Sequence, residues 1–167
     1  VPQWDGNDDL LARWMDKVNS LSYHSEDIHR ELGKIVPRRF TGLAETWYWS
    51  IPPAHRVAME QSWTTLKLAM HNYWMNSQWL ERQKLRVNLA RFRESAHARE
   101  LPSAYVVRKL DLLRIVYDWS DTETIRQIMS EAPSSWSPIL QPQFCNTIVE
   151  FQNAVKYHEE NLVHASN

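Results

Sequence analysis

Arg39-Phe40-Thr41-Gly42-Leu43-Ala44-Glu45-Thr46-Trp47-Tyr48-Trp49-Ser50-Ile51-Pro52-Pro53 is the stretch whose reading decides the fold. Phe40, Leu43, Ala44, Trp47, Tyr48 and Ile51 recur at i, i+3, i+4, i+7, i+8 and i+11, which places them on one face of an α-helix. An apolar face of that size has to be buried. Thr41 is placed to cap the helix through its hydroxyl, and Pro52-Pro53 ends it by removing backbone donors and pushing Ile51 out of the αR region. The element is about three turns long. Trp47 and Tyr48 each bring roughly 150–250 Å² of surface to hide, so neighbouring helices are expected to pack around them.

Upstream, Trp4-Asp5-Gly6-Asn7 reads as an extended segment. A helix is expected from about Asp8 to Leu21 with Leu10, Leu11, Trp14, Val18 and Leu21 inward, and a second from Glu26, capped by Ser25, with Ile28, Leu32 and Ile35 inward. Downstream, Ala54 to Glu60 is a loose helical turn, and Ser62 caps a helix with a stripe of Trp63, Leu66, Met70, Tyr73 and Trp74. These elements form a first lobe, 1–76. The second lobe, 77–167, opens with a helix from about Gln78 to Ala98 burying Leu85, Leu89 and Phe92. Pro102 starts a helix carrying Val106, Leu110, Leu113 and Tyr117. Ser120-Asp121-Thr122-Glu123 and Thr147-Ile148-Val149-Glu150 are capping boxes. The first opens a helix with Ile125, Ile128 and Met129, ended by Pro133; the second opens a last helix to about Val163 with Ile148, Phe151, Val155 and Leu162 inward. The fold class is all-α, in two small helical lobes.

Composition agrees. Hydrophobic residues make up 43% of the chain and charged residues 23%, and only three glycines are available for tight turns. The formal net charge of −1 supplies no global attraction for nucleic acid or an anionic membrane. From Glu81 to Glu100 six basic residues face three acidic ones, so Arg82, Lys84, Arg86, Arg91 and Arg93 could form an RNA-facing stripe. The plainer reading is a solvated helix face, since no aromatics alternate with the charges as single-strand binders require. The single Cys145 excludes an internal disulfide and a Cys-rich zinc motif, and reads as a structural thiol. No run of about 18 apolar residues occurs, so no membrane span is expected. The start at Val1 suggests a piece of something longer. The seven histidines show no paired ligand spacing, and no nucleophile elbow, phosphate loop or protease signature is present. No catalytic residue, metal site or cofactor is expected, and an enzyme is not.

The central pattern also resembles a known family. Gly42, Ala44, Trp47 and Tyr48, followed by Trp63, Leu66 and Tyr73, are similar to the Gag capsid region of gypsy-type long-terminal-repeat retrotransposons and their domesticated, Arc-like relatives. The order Tyr105 to Glu131, Pro133, Ile139-Leu140 and Thr147-x-x-Glu150 resembles their C-terminal capsid domain. Where orthoretroviral capsids keep a Gln, a Gly and a Glu in their major homology region, this chain has Arg93-Glu94-Ser95 and Glu100. The family's zinc knuckle is missing, so RNA packaging would fall to segments outside this chain.

The resemblance implies a capsid domain that self-assembles into a cytoplasmic virus-like particle around the element's RNA, or a domesticated module that binds extended peptides. It implies a groove on the first lobe, with Trp4, Trp14, Trp47 and Tyr48 as candidate lining. Leaving Trp4 in water wastes a large burial term, which independently places the N-terminal segment in such a groove. It also implies that Ile128 and Met129 dock across a two-fold axis. Adjacent residues on a helix point about 100° apart, so one of the two is left to face outward unless Pro133 and Trp136 cover both.

Overall fold

A computed structural model describes residues 1–166. Its regular structure is helical, and among the described residues the only extended pairing is an isolated parallel bridge between Trp4 and Phe40. The chain divides into two compact units, Val1–Arg82 and Gln83–Asn167. The sequence reading puts the division between 76 and 77. The later point follows from packing: the Trp79 indole N–H donates to the Asp8 carbonyl at 2.8 Å and Arg82 pairs with the Asp8 carboxylate at 2.7 Å, which holds the first turns of the helix Ser77–Leu89 to the first unit.

The first unit contains α1 (Leu11–Ser22), α2 (Glu26–Ile35), α3 (Gly42–Ser50), α4 (Pro53–Met59) and α5 (Trp63–Trp74). α1 starts later than Asp8. Asp5 Oδ1 accepts from the Asn7 N–H at 2.9 Å and Asn7 Oδ1 from the Asp9 N–H at 3.1 Å, so side chains hold the backbone in turns before the helix and leave Leu10 exposed. Ser25 and Ser62 cap α2 and α5 as their sequence positions suggest. Thr41 occupies the N-cap position of α3 without a side-chain bond; the Leu43 N–H is satisfied instead by the Asp5 carbonyl at 3.0 Å.

Three faces differ from the periodicity reading. In α2 the buried positions are Leu32 and Gly33, followed by Val36, while Ile28 and Ile35 are exposed. Gly33 explains the rotation: a Cβ there would stand 2.7 Å from the Glu60 carbonyl oxygen, so the α2 backbone lies directly against the turn into α5. In α3 the stripe is narrower, Phe40, Ala44 and Tyr48, with Trp47 and Ile51 half-buried and Leu43 68% exposed. In α5 the buried residues are Trp63, Leu66 and Met70, and Tyr73 lies exposed beyond them. The core gathers these residues with Trp4, Leu11, Trp14, Met15 and Val18.

α6 (Ser77–Leu89), which contains the boundary between the units, ends well before Ala98, and Arg93 takes a left-handed φ of 55° in the segment that follows. Its buried positions are Trp79, Gln83 and Val87, so Leu85 and Leu89 face solvent, opposite to expectation, and Phe92 is half-buried. α7 (Pro102–Val116) starts on its proline, and α8 (Asp121–Glu131) is capped by Ser120 Oγ, which accepts from the Glu123 N–H at 3.2 Å. α9 (Trp136–Leu140) is short. The expected last helix is two, α10 (Ile148–Tyr157) and α11 (Glu159–Ser166). The interruption at His158 brings Glu159 to the free N–H groups of α7, where it accepts from the Ser103 N–H at 3.0 Å and the Ser103 hydroxyl at 2.5 Å. Burial opposes ionisation of Glu159, but the bonds from Ser103 and Lys156 outweigh it and hold the carboxyl below its ordinary range. Trp136, Tyr105, Ile128, Phe151, Val155 and Leu162 lie at the centre of this core.

Candidate functional site

The first unit holds its own N-terminal segment in an aromatic groove. Trp4 N–H donates to the Arg39 carbonyl at 3.3 Å, and its carbonyl accepts from the Thr41 N–H at 2.9 Å. The Trp4 ring stacks on Trp14 at 5.8 Å and meets Phe40 at 5.9 Å and Trp74 at 5.0 Å edge to face. The indole of Trp14 donates to the Pro2 carbonyl at 3.0 Å, and Arg39 Nε to the Val1 carbonyl at 2.9 Å.

The four candidate groove residues therefore separate. Trp4 is the occupant, Trp14 and Tyr48 are buried floor, and Trp47 stays half-exposed, stacked at 5.3 Å on the exposed ring of Tyr73. Burial, with Glu60 close by, pushes the Tyr48 phenol above the tyrosine range, so it is a neutral floor residue at any working pH.

Two glycines let the segment dock. Gly6 has φ +94° and a Cβ there would stand 2.7 Å from the Ala44 nitrogen; Gly42 has φ +53° against the Asp5 carbonyl. Gly6→Ala is expected to cost the first unit about 1–3 kcal/mol, from strain at positive φ and the clash with α3. Urea unfolding measures it, and an unchanged midpoint would show that the segment is not held as described.

On α8, Ile128 and Met129 part. Ile128 is fully buried in the second core, whereas Met129 packs against that core and stays half-exposed. The 100° between neighbours decides this, because the direction of Thr124 and Ile128 points to the core. Met129, Ile125 and Arg126 of α8, with Ser137, Pro142 and Cys145, line a surface concavity of about 580 Å³. Burial raises the Cys145 thiol above its ordinary value, with Glu150 adding to the effect, so little nucleophilic thiolate forms.

The five basic candidates do not form one open face. Arg82 pairs with Asp8, Arg86 donates to Gln83 Oε1 at 2.5 Å, and Arg91 pairs with Glu131 at 2.7 Å. Arg93 Nε donates to the Glu100 carbonyl at 2.9 Å, and Lys84 also has a partner. Two of these partners, Asp8 and Glu131, come from distant positions, out of reach of any local charge count.

A buried ion network in the second unit is the feature the sequence reading missed. Lys109 is 1% exposed; its ammonium donates to the Val87 carbonyl at 2.6 Å, the Ala90 carbonyl at 3.0 Å and Glu131 Oε2 at 2.5 Å. Gln127 donates to the other oxygen of Glu131 at 2.6 Å. Burial pulls the Lys109 ammonium below its ordinary value, and the Glu131 carboxylate opposes that shift. Beside it, Arg108 bonds Glu94 at 2.8 Å, Glu100 at 2.8 Å and the Arg91 carbonyl at 2.9 Å, so the segment that departs from the capsid pattern carries its own network. Tyr105, buried between Phe92 and Trp136, is pushed up to about 12 by burial and then by the Glu131 charge. Two signals pointed here: a lysine inside the apolar stripe of α7, and an acid in the last turn of α8, where the helix dipole disfavours it.

Among the described residues no cluster of three or more His, Cys, Asp or Glu side chains is placed to hold a metal, and no helix is long and apolar enough to cross a membrane. The chain matches no family model, no curated protein and no solved structure.

Proposed function

We propose that this chain is the capsid region of a retrotransposon Gag, a non-enzymatic structural protein that self-assembles in the cytoplasm into a particle shell around the element's RNA. The observation that supports the reading is on α8: Met129, packed against the core on one side, stays half-exposed beside a large, partly apolar concavity, at the position where the resembling capsids pair. The all-helical fold and the two compact units agree with the order of the resembling elements. RNA contact is assigned to other segments of the polyprotein, since the basic run here is engaged with protein partners.

The test is light scattering and electron microscopy of the purified chain and two variants. Wild type is expected to form large regular particles, and Met129→Asp to remain small with its helix content intact. Ile128→Asp places a carboxylate in the core and is expected to unfold the second unit. A wild type that stays monomeric at every concentration would overturn the proposal.

One observation favours a second reading, a domesticated Arc-like module that binds extended peptides. The first unit already holds an extended aromatic segment, its own residues 1–6, in a groove. A chain lacking residues 1–6 that captures the corresponding synthetic peptide, while wild type neither binds it nor assembles, would select this reading.

A further inference from the structure

We propose that the concavity beside α8 is a binding site for a small amphipathic carboxylate, with an alkyl chain lying on Ile125, Met129 and Pro142 and its carboxyl group held by Arg126. The inference goes beyond the assembly reading and does not rest on it, since such a ligand lies within a single copy of the second unit.

The concavity encloses about 580 Å³, against about 390 and 400 Å³ for two others in the chain. That volume falls within the roughly 300–1,000 Å³ of small-molecule sites. Charge separates the three. The smaller ones are lined by both signs, Arg86 and Arg108 with Glu94 and Asp111 in one, Arg82 with Asp8 in the other. Among the described residues that line the larger one, Arg126 is the one cation and no carboxylate is present. An apolar wall with a single guanidinium complements a molecule that has an apolar body and one negative charge. Cys145, on the far side, is half-buried, and burial raises its thiol, which marks that wall as poorly hydrated.

The walls are set before a ligand arrives. One is α8. The other follows α9, where Gln141 holds a left-handed φ of 47° and Pro142 comes next. A non-glycine residue stays in that region only where its surroundings fix it, and proline removes the φ freedom of the following position. Arg126 is largely exposed and gives one nitrogen to Glu123 at 3.0 Å, so its guanidinium keeps donors for a second carboxylate. An extended peptide fits less well. The walls are helical turns whose backbone groups bond within the turn, and they offer no row of free N–H and C=O groups for a strand to pair with.

The test uses the full chain at a dilution where light scattering gives a monomer, with sodium octanoate as the probe. Two readouts are calorimetry and maleimide alkylation of Cys145, the chain's only cysteine. Octanoate is expected to release a saturable binding heat and to slow alkylation. Across hexanoate, octanoate and decanoate the affinity should rise about two- to fourfold per methylene until the concavity is full. Octanol and octylamine should bind more weakly than octanoate. Arg126→Gln is expected to weaken octanoate about three- to fivefold and to leave octanol unchanged. Ser137→Trp, at an exposed lining position, puts an indole in the mouth and should abolish the binding heat with unchanged circular dichroism. Absence of heat and of protection at millimolar octanoate would overturn the inference, as would undiminished binding to Ser137→Trp. Equal affinity for octanol and octanoate would remove the carboxylate from it, and tighter binding of an acetylated tripeptide ending in leucine would assign the concavity to a chain terminus; either result also overturns it. Each of these outcomes leaves the light-scattering test of assembly as it stands.

Discussion

Lys109→Ala is expected to destabilise the second unit by about 3–5 kcal/mol, as removal of one partner of a buried ion pair does. The residue looks dispensable in sequence, one lysine among the nineteen basic residues of the chain. Its ammonium, however, satisfies two carbonyls at the end of α6 and one oxygen of Glu131. Truncation removes the donor that the two carbonyls share, leaving the Ala90 carbonyl to Arg91, and leaves the Glu131 charge to Arg91 and Gln127 alone. Two compact units need not unfold together, so the effect is best read by hydrogen exchange, segment by segment. Faster exchange confined to residues after Gln83 is the expected pattern. Lys109→Met with Glu131→Leu should recover much of the loss, because an apolar pair of similar bulk avoids the burial of charge. A Lys109→Ala chain with wild-type protection would show that the ammonium reaches solvent.

Trp63→Ala is expected to cost the first unit about 3–5 kcal/mol. Trp63 is 1% exposed, meets Trp14 edge to face at 5.9 Å, and donates its indole N–H to Asn19 Oδ1 at 2.7 Å. Truncation leaves a cavity at the junction of α1 and α5 and strips Asn19 of a donor. Leu43→Ala is the matched control. The apolar stripe of the central helix counts Leu43 as core, yet it is largely exposed, and its replacement should stay within about 0.5 kcal/mol. Urea unfolding distinguishes the two, and a large effect at Leu43 with none at Trp63 would invert the packing described here.

Local features of the fold were legible. Ser25, Ser62, Ser120 and Thr147 cap helices because a cap is set by residues within one turn, and Pro102 begins α7 for the same reason. Helix faces were less legible. The side that α2 buries depends on Gly33 meeting the backbone near Glu60, and the side that α6 buries depends on Lys109 reaching Val87 and Ala90. Such approaches are tertiary, and they override an apolar spacing that two sides of a helix share. At the candidate sites, helical geometry alone required Ile128 and Met129 to diverge but could not say which faced inward. The N-terminal segment was expected in a groove because an indole outside any helix needs cover, and the structure places it there. The ion network stayed hidden because Lys109 and Glu131 become partners only when α7 and α8 pack.

The docking of Trp4 also has a consequence for synthesis on the ribosome. Trp4 is among the first residues of this sequence to be made, but its site is walled by Trp14, Phe40 and Trp74. At about 5–20 residues per second, the last wall follows the indole by roughly 4–14 s. During that interval a large apolar ring trails without a binding place, available to chaperones or to neighbouring nascent chains. The site for the segment is therefore complete only once α5, which carries Trp74, has been made.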